Sequence, residues 1–366
     1  MADVYFTDLT TGRKESLLDK LERLFDRAGF KAIVEKNDLV AIKIHFGEPG
    51  NLAYIRPQYV RRMVDKIKKL GGRPFLTDAN VLYRGKRDNA VDHIETAILN
   101  GFDYAVVGAP VVIADGLTGK DYVKVRIDGT YFQEVNIASA AYHADAMLVM
   151  THFKGHEMTG AGGALKNIGM GLGSRSGKQQ MHSDLRPRVD KEKCKGCKKC
   201  QEWCPVAAIE LVDKKAVLDQ EKCLGCGECV VSCPHEAIAI NWKTTPRILQ
   251  EKMAEYAKGA VANKKGKVAY INFITDVSPL CDCYHFNDVP LVEDIGFLAS
   301  FDPVALDQAC IDLVNLARPA KGSVIENLRE GEDKFKAVHS KVEWHYQLEH
   351  AEKMGLGTRK YKLIKV

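Results

Sequence analysis

The sequence predicts an α/β protein, a layered α/β domain interrupted by a small cysteine-rich insert. Three observations carry this. Apolar strand candidates alternate with amphipathic helix candidates along most of the chain, the order that builds a layered α/β fold. Eight of the eleven cysteines fall between Cys194 and Cys233. Neither flank of that stretch reads as a complete domain, so the expected division is 1–186 and 243–366 for the two parts of the α/β domain and 187–242 for the insert.

Before the insert, 38–45 reads as a strand, 57–70 as a helix closed by Gly71-Gly72, and 73–77 as a strand. Next come a helix over 90–100 closed by Gly101, a strand over 104–107, a hairpin of 122–127 and 131–135 around Asp128-Gly129, and a strand over 146–151. After it follow a helix over 246–262, a strand over 268–274 and helices over 303–316 and 343–354. Asp302, just before Pro303, reads as a helix cap, and Cys310 as core beside Ala309 and Leu313.

Composition narrows the classes. The 366 residues suffice for two or three domains, and 46% hydrophobic with 28% charged residues is ordinary for a globular chain. A formal charge of +5, with acids interleaved among the lysines, does not point to nucleic acid. No apolar run approaches the ~20 residues of a membrane span, and the first residues lack the order of a signal peptide, so a cytoplasmic protein off the membrane is expected. In that compartment thiols stay reduced, and clustered cysteines read as metal ligands or catalysts rather than disulfides.

The cysteines spell one motif twice: Cys194-Lys-Gly-Cys197-Lys-Lys-Cys200 then Cys204-Pro205, and Cys223-Leu-Gly-Cys226-Gly-Glu-Cys229 then Cys233-Pro234. Triplets at two-residue intervals followed by Cys-Pro differ from the paired Cys-x-x-Cys of zinc sites and suit 4Fe-4S cubanes. Between them, 208–219 alternates like a hairpin around Asp-Lys-Lys, and Ala237-Ile-Ala-Ile240 repeats its opening. Over about 50 residues the insert resembles bacterial two-cluster ferredoxins, an α+β fold. In their pattern the fourth cysteine crosses over: Cys194, Cys197, Cys200 and Cys233 hold one cluster, and Cys223, Cys226, Cys229 and Cys204 the other. Clusters serving only as a structural staple remain the alternative.

A second concentration of chemistry follows the strand 146–151: His152 and His156, the glycines Gly160, Gly162 and Gly163, then Lys166 and His182. Glycine amides and a helix starting near Ala164 could face an anionic ligand, with Lys166 beside it. Cys281-Asp-Cys283-Tyr-His285 follows the strand 268–274, at the sheet edge where open α/β folds bind ligands, and a Cys-x-Cys pair suits a soft metal. His45, Asp78 and Asn80 lie at other strand ends and can face the same cleft. The expected cleft runs along 152–173, with Cys281 and Cys283 on its opposite wall.

Thr151 to Gly171, Asp302-Pro-Val-Ala-Leu-Asp307 and the stretch Leu348 to Gly357 resemble the domain-of-unknown-function family 362, in which inserted two-cluster ferredoxins are familiar. That resemblance spans most of the chain outside the insert and implies a fold and a site region, not a reaction. The spacing of His156, Lys166 and His182 is also similar to the nickel-pincer lactate racemases. Carried over, it implies a catalytic base at His156, a cofactor anchor at Lys166 and a metal ligand at His182; the cofactor is not carried with them.

Together these readings point to an iron–sulfur oxidoreductase or electron-transfer protein with two 4Fe-4S clusters and a redox protein partner. A further metal or anionic ligand, a small-molecule substrate and a homo-oligomeric state stay open. So do two alternatives: a dedicated carrier subunit whose α/β domain is a docking surface, and a non-redox racemase or isomerase.

Overall fold

The computed structural model describes all residues except 84, 183–186, 205, 224–226 and 239–243, together with the side chain of Val231. Cys226 and the expected boundaries at 186 and 242 therefore lie outside the described residues.

Eight strands form one sheet in the order Tyr361–Lys365, Ala2–Asp8, Gly296–Ser300, Val268–Ile274, Ala146–His152, Leu39–Lys43, Arg73–Asp78 and Val111–Ile113. Gly296–Ser300 runs antiparallel to both neighbours, and the remaining pairings are parallel. Parallel strands are covered on both faces, so they read as nearly unbroken apolar runs. In Ala146–His152 and Val268–Ile274 every residue is buried. Alternate side chains feed opposite cores: Met147 and Val149 on one face, Leu148 and Met150 on the other.

On the first face pack the helices Ala164–Leu172, Pro246–Val261 and Pro303–Leu316, and on the second Leu17–Arg27 and Pro57–Lys69. Each of the two proline-led helices after the insert takes a capping side chain. Thr245 accepts from the Ile248 amide at 3.3 Å, and Asp302 from the Val304 and Ala305 amides, both at 2.9 Å. Cys310 is fully buried in the first core.

Two expectations change. Tyr104–Val107 is one helical turn rather than a strand, because the Asp103 carboxylate accepts from the amides of Ala105 and Val106 and imposes a helix start; the strand comes afterwards, at Val111–Ile113. The hairpin pairs Tyr122–Arg126 with Glu134–Ala138, leaving a longer loop than a tight turn at Asp128-Gly129. The buried Glu255 carboxylate holds that loop open by accepting from the amides of Thr130 (2.6 Å), Tyr131 (3.1 Å) and Phe132 (2.9 Å).

The cysteine-rich stretch builds its own small unit. Ile209–Val212 pairs with Lys215–Leu218 through a two-residue turn in which Asp213 and Lys214 both have positive φ, the conformation a tight hairpin requires. Short helices Lys199–Glu202 and Glu228–Ser232 flank it, and Val189 bridges to Ile238. Cys194, Cys200 and Cys229 pack with Ile209, Ala216, Ala237 and Ile238 in an apolar cluster separate from the two sheet cores. Among the described residues no helix is long and apolar enough to cross a membrane.

Candidate functional site: a cation-lined cavity and a cysteine nest

The parallel strands deliver their carboxyl ends to one edge of the sheet, where open α/β folds place ligands. Lys43 ends one strand and Asp78 its neighbour, and there the Lys43 ammonium meets the Asp78 carboxylate at 3.0 Å and Asn167 Oδ1 at 2.6 Å. Beside them opens a cavity of about 430 Å3. Five cationic side chains line it, Lys43, Arg87, Lys154, Lys166 and Lys178, with the imidazoles of His45, His156 and His182, against two carboxylates, Asp78 and Glu157. Arg87 is neutralised by Glu48 at 2.8 Å and Lys154 by Asp282 at 3.2 Å behind the lining, whereas Lys166 and Lys178 have no carboxylate in ion-pair range among the described residues. Buried cations are costly without an anion, so these two suit an anionic ligand.

Segment 152–156 reaches the cavity by a close backbone approach. The Gly155 amide donates to Ser278 O at 2.8 Å, and a Cβ on Gly155 would stand 2.2 Å from Pro279 O, so only glycine lets the two segments touch. This approach sets the Cys281 loop against Lys166. Asp282 is held by His152 Nδ1 at 2.8 Å and the Lys154 ammonium at 3.2 Å, and the cysteines on either side face the other way. Lys166 Nζ stands 3.1 Å from Cys281 Sγ, Cys281 and Cys283 Sγ are 2.9 Å apart, and His45 Nε2 is 3.5 Å from Cys283 Sγ. His156, Lys166, His182 and Cys283 line the one cavity, with Cys281 directly behind Lys166.

Electrostatics decide what these groups offer. Burial, reinforced by Lys166, lowers His156 to a pKa of about 3, and burial with His156 and Lys166 does the same to His182, so both rings are neutral near pH 7. His156 Nδ1 accepts from the amides of Met158 (3.0 Å) and Thr159 (3.2 Å), which places the ring proton on Nε2. A neutral His156 so fixed presents a donor to a ligand. Burial opposes the charge of Lys166, yet the sulfurs of Cys281 and Cys283 outweigh it and hold the ammonium protonated well above the usual lysine value. Lys178 goes the other way: burial pulls it down to about 8, with Asp115 and Asp78 offsetting only part.

Gly160, Gly162 and Gly163 stand behind the cavity lining. Gly160 and Gly162 bound a short strand and Gly163 precedes the helix Ala164–Leu172, but none of the three lines the cavity. The helix start is already filled by a protein anion: the buried Asp307 carboxylate accepts from the amides of Ala164 (2.7 Å) and Leu165 (2.9 Å) and from Asn272 Nδ2 (2.8 Å). A Cβ at Gly163 would come within 2.2 Å of Asp307 Oδ1, so that glycine admits the carboxylate rather than an outside ligand. His152 is likewise spent, with Nδ1 on Asp282 and Nε2 facing the Thr275 and Asp276 carbonyls. Asn80 bonds to Asp115 and Gly116 away from the cavity.

Sequence reading missed Lys43, Arg87, Lys154 and Lys178 as site residues. Lys43 left a signal, since a lysine closing an apolar run such as Val40-Ala-Ile42 is out of place unless it meets a partner. Lys178 left none, because the helix Arg175–His182 is polar in sequence and buried only by tertiary packing.

In the small unit, Cys194, Cys197, Cys200 and Cys233 line one compact cavity, with Leu211, Ala216, Ala237 and Ile238 among its apolar walls. The Ala216 amide donates to Cys194 Sγ at 3.3 Å and the Ala208 amide to Cys204 Sγ at 3.2 Å. Amide donors of this kind also hydrogen-bond the sulfurs of iron–sulfur ligands. Cys204, Cys223 and Cys229 belong to the described residues, and their fourth expected companion, Cys226, does not. Among the described residues no group of three or more His, Cys, Asp or Glu side chains is positioned as a metal site.

The helix Arg175–His182 joins the two places. Lys178 and His182 line the large cavity, while Gln179 packs against Gly227 in the second cysteine run, whose added Cβ would stand 2.3 Å from Gln179 Cγ.

Fold and site together define an α/β protein with a cation-lined cavity at the carboxyl edge of its parallel strands and a cysteine-rich unit packed beside it. The family model described as Domain of unknown function (DUF362) matches residues 40–312, and the chain belongs to that family. No curated protein matches. Among solved structures the chain is similar to the lactate racemase apoprotein from Thermoanaerobacterium thermosaccharolyticum, at 14% identity and a TM-score of 0.39 over 75% of this chain and 51% of that one. It thus spans about half the length of that protein.

Proposed function

We propose that the protein is an iron–sulfur oxidoreductase: the cysteine-rich unit carries two 4Fe-4S clusters, and single electrons pass between them and an anionic substrate in the cation-lined cavity. Cys194, Cys197, Cys200 and Cys233 hold one cluster, and Cys223, Cys226, Cys229 and Cys204 the other. A redox protein partner exchanges electrons with the unit. When bound, the clusters supply one-electron chemistry, and the chain's residues do the rest. Lys166 and Lys178 neutralise the substrate's charge, His156 donates Nε2–H to it, and His182 is a candidate ligand for a further metal.

The observation that carries the reading is the helix Arg175–His182, which presents Lys178 and His182 to the cavity and Gln179 to the second cysteine run. Electron transfer needs short paths, and this single element spans from one site to the other. The four-cysteine cavity of the first run adds to it, because a soft-donor nest of that composition suits iron–sulfur ligation.

Anaerobic iron and sulfide analysis tests the cluster half, with about eight irons per chain expected for two cubanes. Stoichiometric zinc without iron would end it. For the cavity, sulfate binding followed by calorimetry should weaken about tenfold or more in Lys166→Ala, the scale of a lost charge-assisted hydrogen bond, with cluster absorbance unchanged. Sulfate affinity in the wild type should also fall as pH rises through about 8, where Lys178 gives up its proton. That native value lies below the unfolded one, so the same group makes the fold more stable as pH climbs from about 8 towards the ordinary lysine range. An affinity flat between pH 7 and 9 would remove Lys178 from the site.

A further inference from the structure

Cys281 and Cys283 have an arrangement that anion binding does not require. Their sulfurs are 2.9 Å apart, closer than the roughly 3.8 Å that two thiolates keep when each lies ~2.3 Å from a shared tetrahedral zinc. Each sulfur has its own N–H donor. Lys166 Nζ stands 3.1 Å from Cys281 Sγ. His45 Nδ1 accepts the Gly47 amide at 3.0 Å, which leaves the proton of the neutral ring on Nε2, 3.5 Å from Cys283 Sγ. Cys283 faces the cavity, whereas Cys281 is 1% exposed and sits behind it.

We propose that Cys281 and Cys283 form a redox-active dithiol that reduces an anionic disulfide held by the cations of the cavity, with Cys283 the attacking and Cys281 the resolving sulfur. The pair shares one proton, and the negative charge resides on Cys281. There the hydrogen bond from Cys283, and then Lys166, bring the thiol down to about 6 against the opposing effect of burial. As Cys283 sulfur attacks the substrate disulfide, its proton passes to Cys281, an S–S bond forms between Cys283 and one half of the substrate, and the other half leaves as thiolate. That thiolate takes the proton from Cys281, whose sulfur then attacks Cys283 and expels the second half as thiolate. The balance is one dithiol monoanion and one disulfide in, one protein disulfide, one thiol and one thiolate out.

Reopening the protein disulfide to the dithiol monoanion takes two electrons and one proton. Two one-electron clusters match that demand, and this last link rests on the function proposed above; the thiol exchange does not. The location supports the substrate class, because Cys283 opens into a cavity where Lys166 and Lys178 have no carboxylate in ion-pair range among the described residues, so a disulfide bearing carboxylates finds partners and a neutral one does not.

Oxidised glutathione, an anionic disulfide, is the probe. Anaerobic protein is mixed with it, quenched in acid, alkylated and mapped by peptide mass spectrometry, with iron measured on the same samples. In wild type the peptide holding Cys281 and Cys283 should lose two hydrogens. Cys281→Ser should stop at one glutathione on Cys283, and Cys283→Ser should carry none on Cys281. Lys166→Ala should slow closure by about tenfold or more, and cystamine, a cationic disulfide, should react more slowly than oxidised glutathione with the wild type. Circular dichroism of each variant separates lost reactivity from lost fold, and Cys281→Ala repeats the stalled adduct with a different replacement. The proposal is overturned if both thiols of folded wild type remain alkylatable after the treatment, or if a chelatable metal shields them. Iron-free protein that still closes the bond would end the cluster reading and keep this one. Full iron with unreactive thiols would do the reverse.

Discussion

Anaerobically prepared Cys233→Ser should contain about four irons per chain where wild type should contain about eight, and the loss should fall on the proposed cluster of Cys194, Cys197 and Cys200. Cys233 follows the second cysteine run in the chain, yet it lines the same small cavity as the three cysteines of the first. A serine hydroxyl is a poor replacement for a thiolate on a soft metal, so removing this one sulfur would open a corner of the proposed cubane. The second set keeps all four of its cysteines. In the reduced wild type, electron paramagnetic resonance should show lines broadened by coupling between neighbouring clusters, and in the variant that broadening should vanish while one signal persists. A variant that keeps the first cluster and loses the second would refute the crossover.

The second large effect concerns stability. Asp307→Ala should lower the free energy of unfolding by about 3 kcal/mol or more, because it strands three buried donors at roughly 1–3 kcal/mol each. Those donors are the Ala164 and Leu165 amides at the start of one helix and the side-chain amide of Asn272 on the central strand Val268–Ile274. Urea titration should show an earlier midpoint with an unchanged slope. Asp307→Asn, which keeps one carbonyl oxygen, should lose less. Burial also pushes the Asp307 pKa up to about 6, the donated hydrogen bonds opposing without cancelling it. The native state therefore takes up this proton before the unfolded chain does, so the contribution of this group is fullest below about 4 and declines as pH rises through 6. An Asp307→Ala protein as stable as wild type, or with the same pH slope between 4 and 6, would show that the carboxylate is not holding the two elements together.

The sequence by itself determined the α/β alternation and the place where the cysteine motif interrupts it. Strands such as 146–152 and 268–274 announce themselves because a parallel strand covered on both faces is apolar along its whole length, and this needs no knowledge of its neighbours. The cysteine runs are legible for a similar reason, since ligand spacing is a local property of the chain. Cys281, Cys283, His156 and Lys166 could be assigned to one sheet edge because strand ends come together in this class of fold.

Tertiary structure alone decided the rest. Ala2–Asp8, Gly296–Ser300 and Tyr361–Lys365 join the sheet through partners distant in the chain, and two of them lie at its margin, where one face meets solvent and the apolar signal weakens. Tyr104–Val107 looks like a strand by composition and is a helix because one carboxylate caps it. The glycine-rich turn looks like an anion cradle until Asp307, more than 140 residues away, fills the helix start. Lys178 is an ordinary helix lysine in the sequence; it becomes a site residue because packing turns it into the cavity and strips its water. Pairing and desolvation depend on what the rest of the chain brings alongside, and a charge or an amide carries no record of that in its own neighbourhood.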